Sequence, residues 1–205
     1  MRMRLLAAAA ALAGLSGCAT TDMAPEAAAP VEVKLIAFND FHGNLQPPRR
    51  NIKAPSPAGE VQVPAGGVAY LAAAIDALRA ENPNHLVVSA GDMIGASPIV
   101  SNLFLDEPTI AAMNLIDIDF NAVGNHEFDR GRAELLRIKN GGCEKHTVRE
   151  PCAVEPHKGA DFDFLAANTL TEDGTPLFPA YGIRSFGSGA GEVKVGVIGM
   201  TLEGT

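Results

Sequence analysis

From Val31 to Phe38 (VEVKLIAF) the chain is dominated by β-branched and apolar residues, then turns polar at Asn39-Asp40-Phe41-His42-Gly43. That pattern predicts a buried strand ending in a turn-forming tip. Residues 46–65 hold five prolines and read as a long surface loop. Val68, Leu71, Ala72, Ile75 and Leu78 recur at helical spacing, predicting an amphipathic helix over 67–80. His85 to Ala90 (HLVVSA) predicts a second buried strand with Gly91-Asp92 at its end. Residues 98–116 read as mostly helical, with Pro108 suited to the first turn of a second helix. Asp119 to Val123 predicts a strand feeding Gly124-Asn125-His126-Glu127, and Asp129 to Lys139 a helix closed by Asn140-Gly141-Gly142. Further strands are expected at Asp163–Ala167, ending at Asn168-Thr169, and at Val193–Met200. Strands alternating with helices predict an α/β layer architecture without internal repeats. The last apolar strand stops five residues before Thr205, so its outer face lacks a covering element and the domain is expected to be incomplete at the C-terminus.

The N-terminus reads as an address. Arg2 and Arg4 precede an apolar run of 11 residues, Leu5 to Leu15. Such a run is too short for a membrane span and has the size of a signal-peptide core. Leu15-Ser16-Gly17-Cys18 resembles a bacterial lipobox, which implies a leader at 1–17, cleavage before Cys18 and a lipid on its sulfur. A conventional secretory signal with Cys18 incidental is the alternative. Residues 18–30 then form an Ala/Pro/Thr-rich tether, and 31–205 belong to one domain. The expected location is the periplasm or outer surface of a bacterium, anchored to a membrane through Cys18. Formal net charge is −8, and about −10 without Arg2 and Arg4. An acidic surface argues against a nucleic-acid polymer as partner but not against a small phosphorylated substrate, because bound cations reverse the local field. The chain is expected to be a monomer.

Cys143 and Cys152 lie nine positions apart. In an exported protein a short-loop disulfide is the natural reading. A small zinc site with His146 and His157 is the alternative, disfavoured by the lack of a close Cys-x-x-Cys pair. Either way 141–158 reads as a stapled loop away from the chemistry, with His146 and His157 as solvated loop residues.

Three predicted strands end in metal-capable side chains: Asp40 and His42, Asp92, then Asn125 and His126. In open α/β sheets ligands gather beyond the carboxyl ends of strands, so groups distant in sequence can share one site. A single Asp shared between two cations would hold them roughly 3.5–4 Å apart, and Asn can add a neutral oxygen. Each motif alone is weak, since Asp-x-His occurs by chance and Gly-Asp is a common turn. Their force lies in all three directly following a predicted strand.

With Asn39-Asp40-Phe41-His42-Gly43, Ser89-Ala90-Gly91-Asp92 and Gly124-Asn125-His126-Glu127-Phe128-Asp129, the sequence resembles the calcineurin-like metallophosphoesterases, and within them the 5′-nucleotidase family. Leu165-Ala166-Ala167-Asn168 and Val195-Gly196-Val197-Ile198-Gly199 support the likeness, which runs from about residue 32 to the end. The resemblance implies an α/β fold, a layered β-sandwich of mixed sheets flanked by helices. It implies two divalent metal ions (Zn, Mn, Fe or Co), with Asp40 and His42 on the first, Asp92 bridging and Asn125 on the second. His126 would be a non-ligand that assists the leaving group, oriented by Asp129. The expected reaction is hydrolysis of a nucleotide or small phosphate ester by a metal-activated water attacking phosphorus in line.

The chain also departs from the family. Two later histidines and a neighbouring polar ligand have no counterpart, nor does the nucleoside-holding C-terminal domain, so the 205 residues alone are expected to carry an incomplete site with little or no activity. A thiosulfohydrolase-like relative, or a surface lipoprotein that only binds, are the competing readings. Among residues of lesser weight, Glu127 reads as a buried supporting carboxylate. Asn44 and Asn168 read as turn formers or substrate-side polar groups, and His85, Arg49 and Arg50 as surface residues.

Overall fold

In the computed structural model residues 30–204 are described, so the leader, Cys18 and the tether up to residue 29 lie outside the described residues. In chain order the elements are β1 (Lys34–Phe38), β2 (Asn51–Ser56), β3 (Gly59–Pro64), α1 (Val68–Ala80), β4 (His85–Ser89), α2 (Ile99–Asn102), α3 (Glu107–Ile116), β5 (Phe120–Ala122), α4 (Arg132–Asn140), β6 (Asp163–Leu165), β7 (Tyr181–Phe186) and β8 (Val193–Ile198). Short 3-10 turns cover His126–Phe128 and Gly189–Gly191.

The four short apolar strands pair as a parallel sheet in the order β1-β4-β5-β6. Alternate residues of a strand point to opposite faces, and that alternation sorts the core. Ile36, Val87 and Phe164 join Ile75 of α1, Ile110 and Met113 of α3, and Leu135 and Ile138 of α4 in the main cluster. On the other face Leu86, Phe120 and Leu165 pack against Phe186, Val195 and Val197 of the antiparallel β7–β8 ribbon. The molecule is therefore layered: helices, parallel sheet, antiparallel ribbon. The ribbon crosses directly over Phe120, since a Cβ on Gly182 would lie 2.1 Å from that ring. Arg184 stacks 4.7 Å above the same ring while its Nε donates to Asp119 Oδ1 at 2.9 Å. On the ribbon Tyr181, Ile183 and Ile198 stay exposed.

Two expected elements are corrected. The proline-rich stretch is not an open loop: 51–64 forms the β2–β3 hairpin, tied by Lys53 donating to Glu60 at 3.0 Å. Proline is tolerated there because an isolated two-strand ribbon is all edge. The second helix expected from Pro108 is present: the chain breaks at Leu105 and Asp106, both left-handed (φ 58° and 65°), and Pro108 sits in the first turn of α3. The helix expected from Asp129 begins only at Arg132, after Gly131 turns the chain at φ 83°.

Cys143 and Cys152 are joined as a disulfide. The loop they close is held by buried charges: Arg137 pairs with Glu134 at 2.7 Å and with Glu107 at 2.7 Å, and its Nη1 also donates to the Gly142 carbonyl at 2.8 Å. Glu107 in turn accepts from the Cys152 N–H at 3.0 Å. His157 is not solvated but buried, its ring bonded through Nε2 to the Ile138 carbonyl at 2.9 Å near the end of α4. No helix among the described residues is long and apolar enough to cross a membrane.

Candidate metal centre

The loops after β1, β4 and β5 meet at the carboxyl end of the parallel sheet. They stay bonded past the strands themselves: Asp40 N–H donates to the Gly91 carbonyl (3.1 Å), His42 N–H to Asp92 (2.9 Å) and Gly43 N–H to Met93 (3.0 Å). Asp40, His42 and Asp92 are all left-handed, at φ 52°, 46° and 53°. That conformation is costly for residues with a side chain and is typical of functional loops whose surroundings enforce it. The glycine of Gly-Asn-His is there for closeness: a Cβ on Gly124 would stand 2.2 Å from Asp92 Oδ1.

His42 Nδ1 lies 2.9 Å from the Gly95 carbonyl, which can only accept. The proton therefore sits on Nδ1, leaving the Nε2 lone pair free as a ligand. Asp40 Oδ1 stands 3.7 Å from that Nε2. Asp92 Oδ1 accepts from the His126 N–H at 3.0 Å, which locks the Asp-bearing loop to the His-bearing turn. His126 Nδ1 contacts both Asp129 oxygens, at 3.0 and 3.2 Å, and that hydrogen bond raises the imidazole pKa above its usual 6.5. The two rings meet edge to face, centroids 4.9 Å apart at 81°. Single ligand atoms of His42, Asp92 and His126 all lie within 4.8 Å of one another. This mixed imidazole and carboxylate set fits a divalent transition metal.

Glu127 holds the arrangement from beneath. It is 3% exposed and accepts from the N–H groups of Asp92 (3.0 Å), Met93 (2.9 Å) and Gly124 (2.9 Å), with Asn121 at 3.4 Å. Burial pushes its carboxyl pKa up to about 7 against these donors. Asn125 precedes the 3-10 turn, and its carbonyl accepts the Phe128 N–H at 3.1 Å. Asn44 caps its own turn by donating to the Phe41 carbonyl at 2.8 Å. Asn168 joins two strand ends, exchanging bonds with the Thr201 backbone at 2.9 and 3.0 Å. His85 contacts the Asn82 carbonyl at 3.0 Å; Arg49 and Arg50 are exposed. His146 lies in the disulfide loop beside Glu144. At the end of the His126–Phe128 turn a cavity of about 550 Å³ is lined by Phe128, Arg132, Asn168, Thr169 and Thr201.

Sequence reasoning missed Asp106, fully buried and paired with Arg130 Nη1 at 2.5 Å. Burial alone would raise its pKa, yet hydrogen bonds from Ser101, Ser97 and Arg130 hold it below the usual value. An Asp before Glu-Pro reads as an ordinary helix start, and nothing in the pattern points 24 residues ahead to Arg130.

Residues 33–187 match the family model described as calcineurin-like phosphoesterase. An uncharacterised protein of Acinetobacter calcoaceticus is 54% identical over 88% of this chain and 92% of its own length. The endonuclease YhcR of Bacillus subtilis is 36% identical over 98% of this chain but only 16% of its own length. The solved structure of the 5′-nucleotidase precursor of Thermus thermophilus superposes with a TM-score of 0.55 at 27% identity, covering 82% of this chain and 28% of that one. The chain thus spans nearly all of one relative and a small part of the other two.

Proposed function

Since the chain belongs to the calcineurin-like phosphoesterase family, we propose that it supplies the metal-holding face of a hydrolase acting on nucleotide phosphate esters, of the 5′-nucleotidase, cyclic-nucleotide phosphodiesterase or nucleotide-sugar hydrolase kind. The observation that carries this reading is the convergence of His42, Asp92 and His126 within 4.8 Å, beside Asp40, where three strands of a parallel sheet end. Asp40 and His42 would hold one divalent cation, Asp92 would be shared, and Asn125 would serve the second. When bound, such cations supply a nucleophilic water and neutralise charge on the phosphoryl oxygens. His126, steered by Asp129, faces the leaving group and assists its departure as an alkoxide. The cavity at the end of that turn, with Phe128 and Arg132 on its wall, has the volume of a small-ligand site.

The same reading makes the 205-residue chain a weak catalyst by itself, because one carboxylate pair, one or two imidazoles and an amide are few donors for two cations. Residues 1–17 act as leader, Cys18 as the lipidated residue that anchors the chain to a membrane, 18–30 as tether, and 31–205 as a monomeric catalytic portion, exported to the periplasm or the outer surface of a bacterium. The precursor named in the Thermus thermophilus structure supports the export reading.

The test compares the wild type with Asp92→Ala, following Mn and Zn stoichiometry together with phosphate release from AMP and sulfate release from a thiosulfonate carrier. Loss of bound metal in the variant, with AMP as the preferred ester, is the expected result. Unchanged stoichiometry in Asp92→Ala contradicts a shared ligand, and sulfate release alone moves the assignment to sulfur esters.

A further inference from the structure

The segment Gly95-Ala96 is bonded to both histidine-bearing turns. The Gly95 carbonyl accepts from His42 Nδ1 at 2.9 Å, and the Ala96 N–H donates to Asp129 Oδ2 at 3.2 Å, the same oxygen that lies 3.0 Å from His126 Nδ1. The segment has little freedom of its own: Gly95 sits at φ 80°, and a Cβ there would fall 2.3 Å from the His126 carbonyl. Ala96 is left-handed at φ 48°, so something outside must hold it. That something is Asp106. Its Oδ2 accepts from the Gly95 N–H at 3.4 Å and from Arg130 Nη1 at 2.5 Å, while Oδ1 accepts from Ser101 Oγ at 2.7 Å. Ser101 is itself fully buried and bonded to Thr109 Oγ1 at 2.6 Å, so α3 anchors the carboxylate. Arg130 adjoins Asp129 in sequence, and its ion pair therefore ties the His126–Asp129 turn to the segment that holds His42.

We propose that the Asp106–Arg130 pair is a positioning device that sets the distance and angle between the His42 and His126 rings, a role that rests on the metal-centre reading above. Neither residue touches the ligand atoms. One carboxylate oxygen serves both sides: through the Gly95 N–H it fixes the carbonyl that chooses the His42 tautomer, and through Arg130 it fixes the turn that aims His126. A pair present only for stability would leave the rings in place when both partners are exchanged for neutral groups of similar size.

The experiment uses Asp106→Leu/Arg130→Met, which removes both charges together and leaves the Gly95 N–H without its acceptor, and Arg130→Lys, which keeps a charge without the guanidinium. In the metal-free protein, imidazole NMR reads the His42–His126 ring contact and the Nδ1-protonated form of His42. The double variant is expected to lose the contact and mix the tautomers, and Mn²⁺ titration is expected to show about tenfold or greater loss of affinity. Arg130→Lys should keep the His42 tautomer and weaken the ring contact. Retention of contact and tautomer in the double variant overturns the proposal. If replacement of Asp106 prevents folding, Arg130→Met alone decides by the ring contact, which should be lost while the His42 tautomer stays, since Asp106 then still receives Ser101 and Gly95; an unchanged ring contact overturns the proposal. Failure of the wild type to bind Mn²⁺ would count against the metal centre, while the ring contact in the metal-free protein still decides this inference.

Discussion

Replacing Glu127 is the sharpest test of what holds the centre together. Its Oε2 receives the Asp92 and Gly124 N–H groups and its Oε1 those of Met93 and the Asn121 amide, and the carboxylate itself is buried. Glu127→Ala leaves three backbone donors without an acceptor, each at about 1–3 kcal/mol, so a loss of at least about 3 kcal/mol is expected. That is a large share of the roughly 5–15 kcal/mol that a domain has. Glu127→Gln keeps one carbonyl. With that oxygen in the Oε2 position Asp92 and Gly124 stay paired, and the new amide can donate to Asn121 Oδ1, which has no hydrogen-bond partner among the described residues. Among the backbone donors only the Met93 N–H is then orphaned, for about 1–3 kcal/mol, and the Asn121 amide nitrogen gives up its long bond to Oε1. Urea unfolding at neutral pH gives both differences, and amide exchange locates them: Asp92, Met93 and Gly124 should lose protection in Glu127→Ala, and Met93 alone in Glu127→Gln. A Glu127→Ala protein within about 0.5 kcal/mol of wild type, with those amides still protected, would refute the account.

Gly124→Ala forces a Cβ to within 2.2 Å of Asp92 Oδ1 and should cost about 1–3 kcal/mol with a matching loss of Mn²⁺ affinity, read by denaturation and titration. Arg137→Ala strands the buried carboxylates Glu107 and Glu134 and should cost about 3–5 kcal/mol in urea, whereas Arg132→Ala, whose partner Glu172 is exposed, should cost less than about 1 kcal/mol. Cys143→Ser/Cys152→Ser should lose about 2–3 kcal/mol for so short a loop while leaving the His42–His126 ring contact in NMR unchanged. Asp106 has a lowered folded pKa, so its contribution is fully present above the unfolded value of 3.8 and is lost as pH falls through the folded one; Asp106→Asn should flatten that acid limb of the stability curve below pH 3.8.

The fold was legible wherever burial imposed a period. β1, β4 and β5 read correctly because their apolar residues Ile36, Leu86, Val87 and Phe120 are carried into the core, and α1 because Val68, Leu71, Ala72 and Ile75 fall on one side of a helix. β7 escaped because YGIRSF shows a core nothing but alternate contacts, with Gly182 placed for its lack of a side chain over Phe120. β2 and β3 escaped because prolines that forbid a central strand are harmless in a free ribbon. Pro108 announced the second helix, but where the first one breaks is silent in the pattern, since Leu105 and Asp106 are held left-handed by contacts that only the folded chain supplies.

The site divides along the same physical line. Groups that would face a ligand must project beyond strand ends, and that requirement writes itself locally as Asp-x-His, Gly-Asp and Gly-Asn-His. Groups that hold those loops need only a partner in space. Glu127 reaches back 34 and 35 residues to Met93 and Asp92, and Asp106 reaches forward 24 to Arg130. Such pairs leave no spacing rule, because the distance along the chain is set by the length of the helix between two strands rather than by chemistry. Asp40, His42 and Asp92 all sit in a backbone region that side chains resist, so the local sequence alone would relax them. It is the distant buried carboxylates, each satisfied by several donors at once, that keep the strained loops in register and make a geometry out of residues that were only candidates in the sequence.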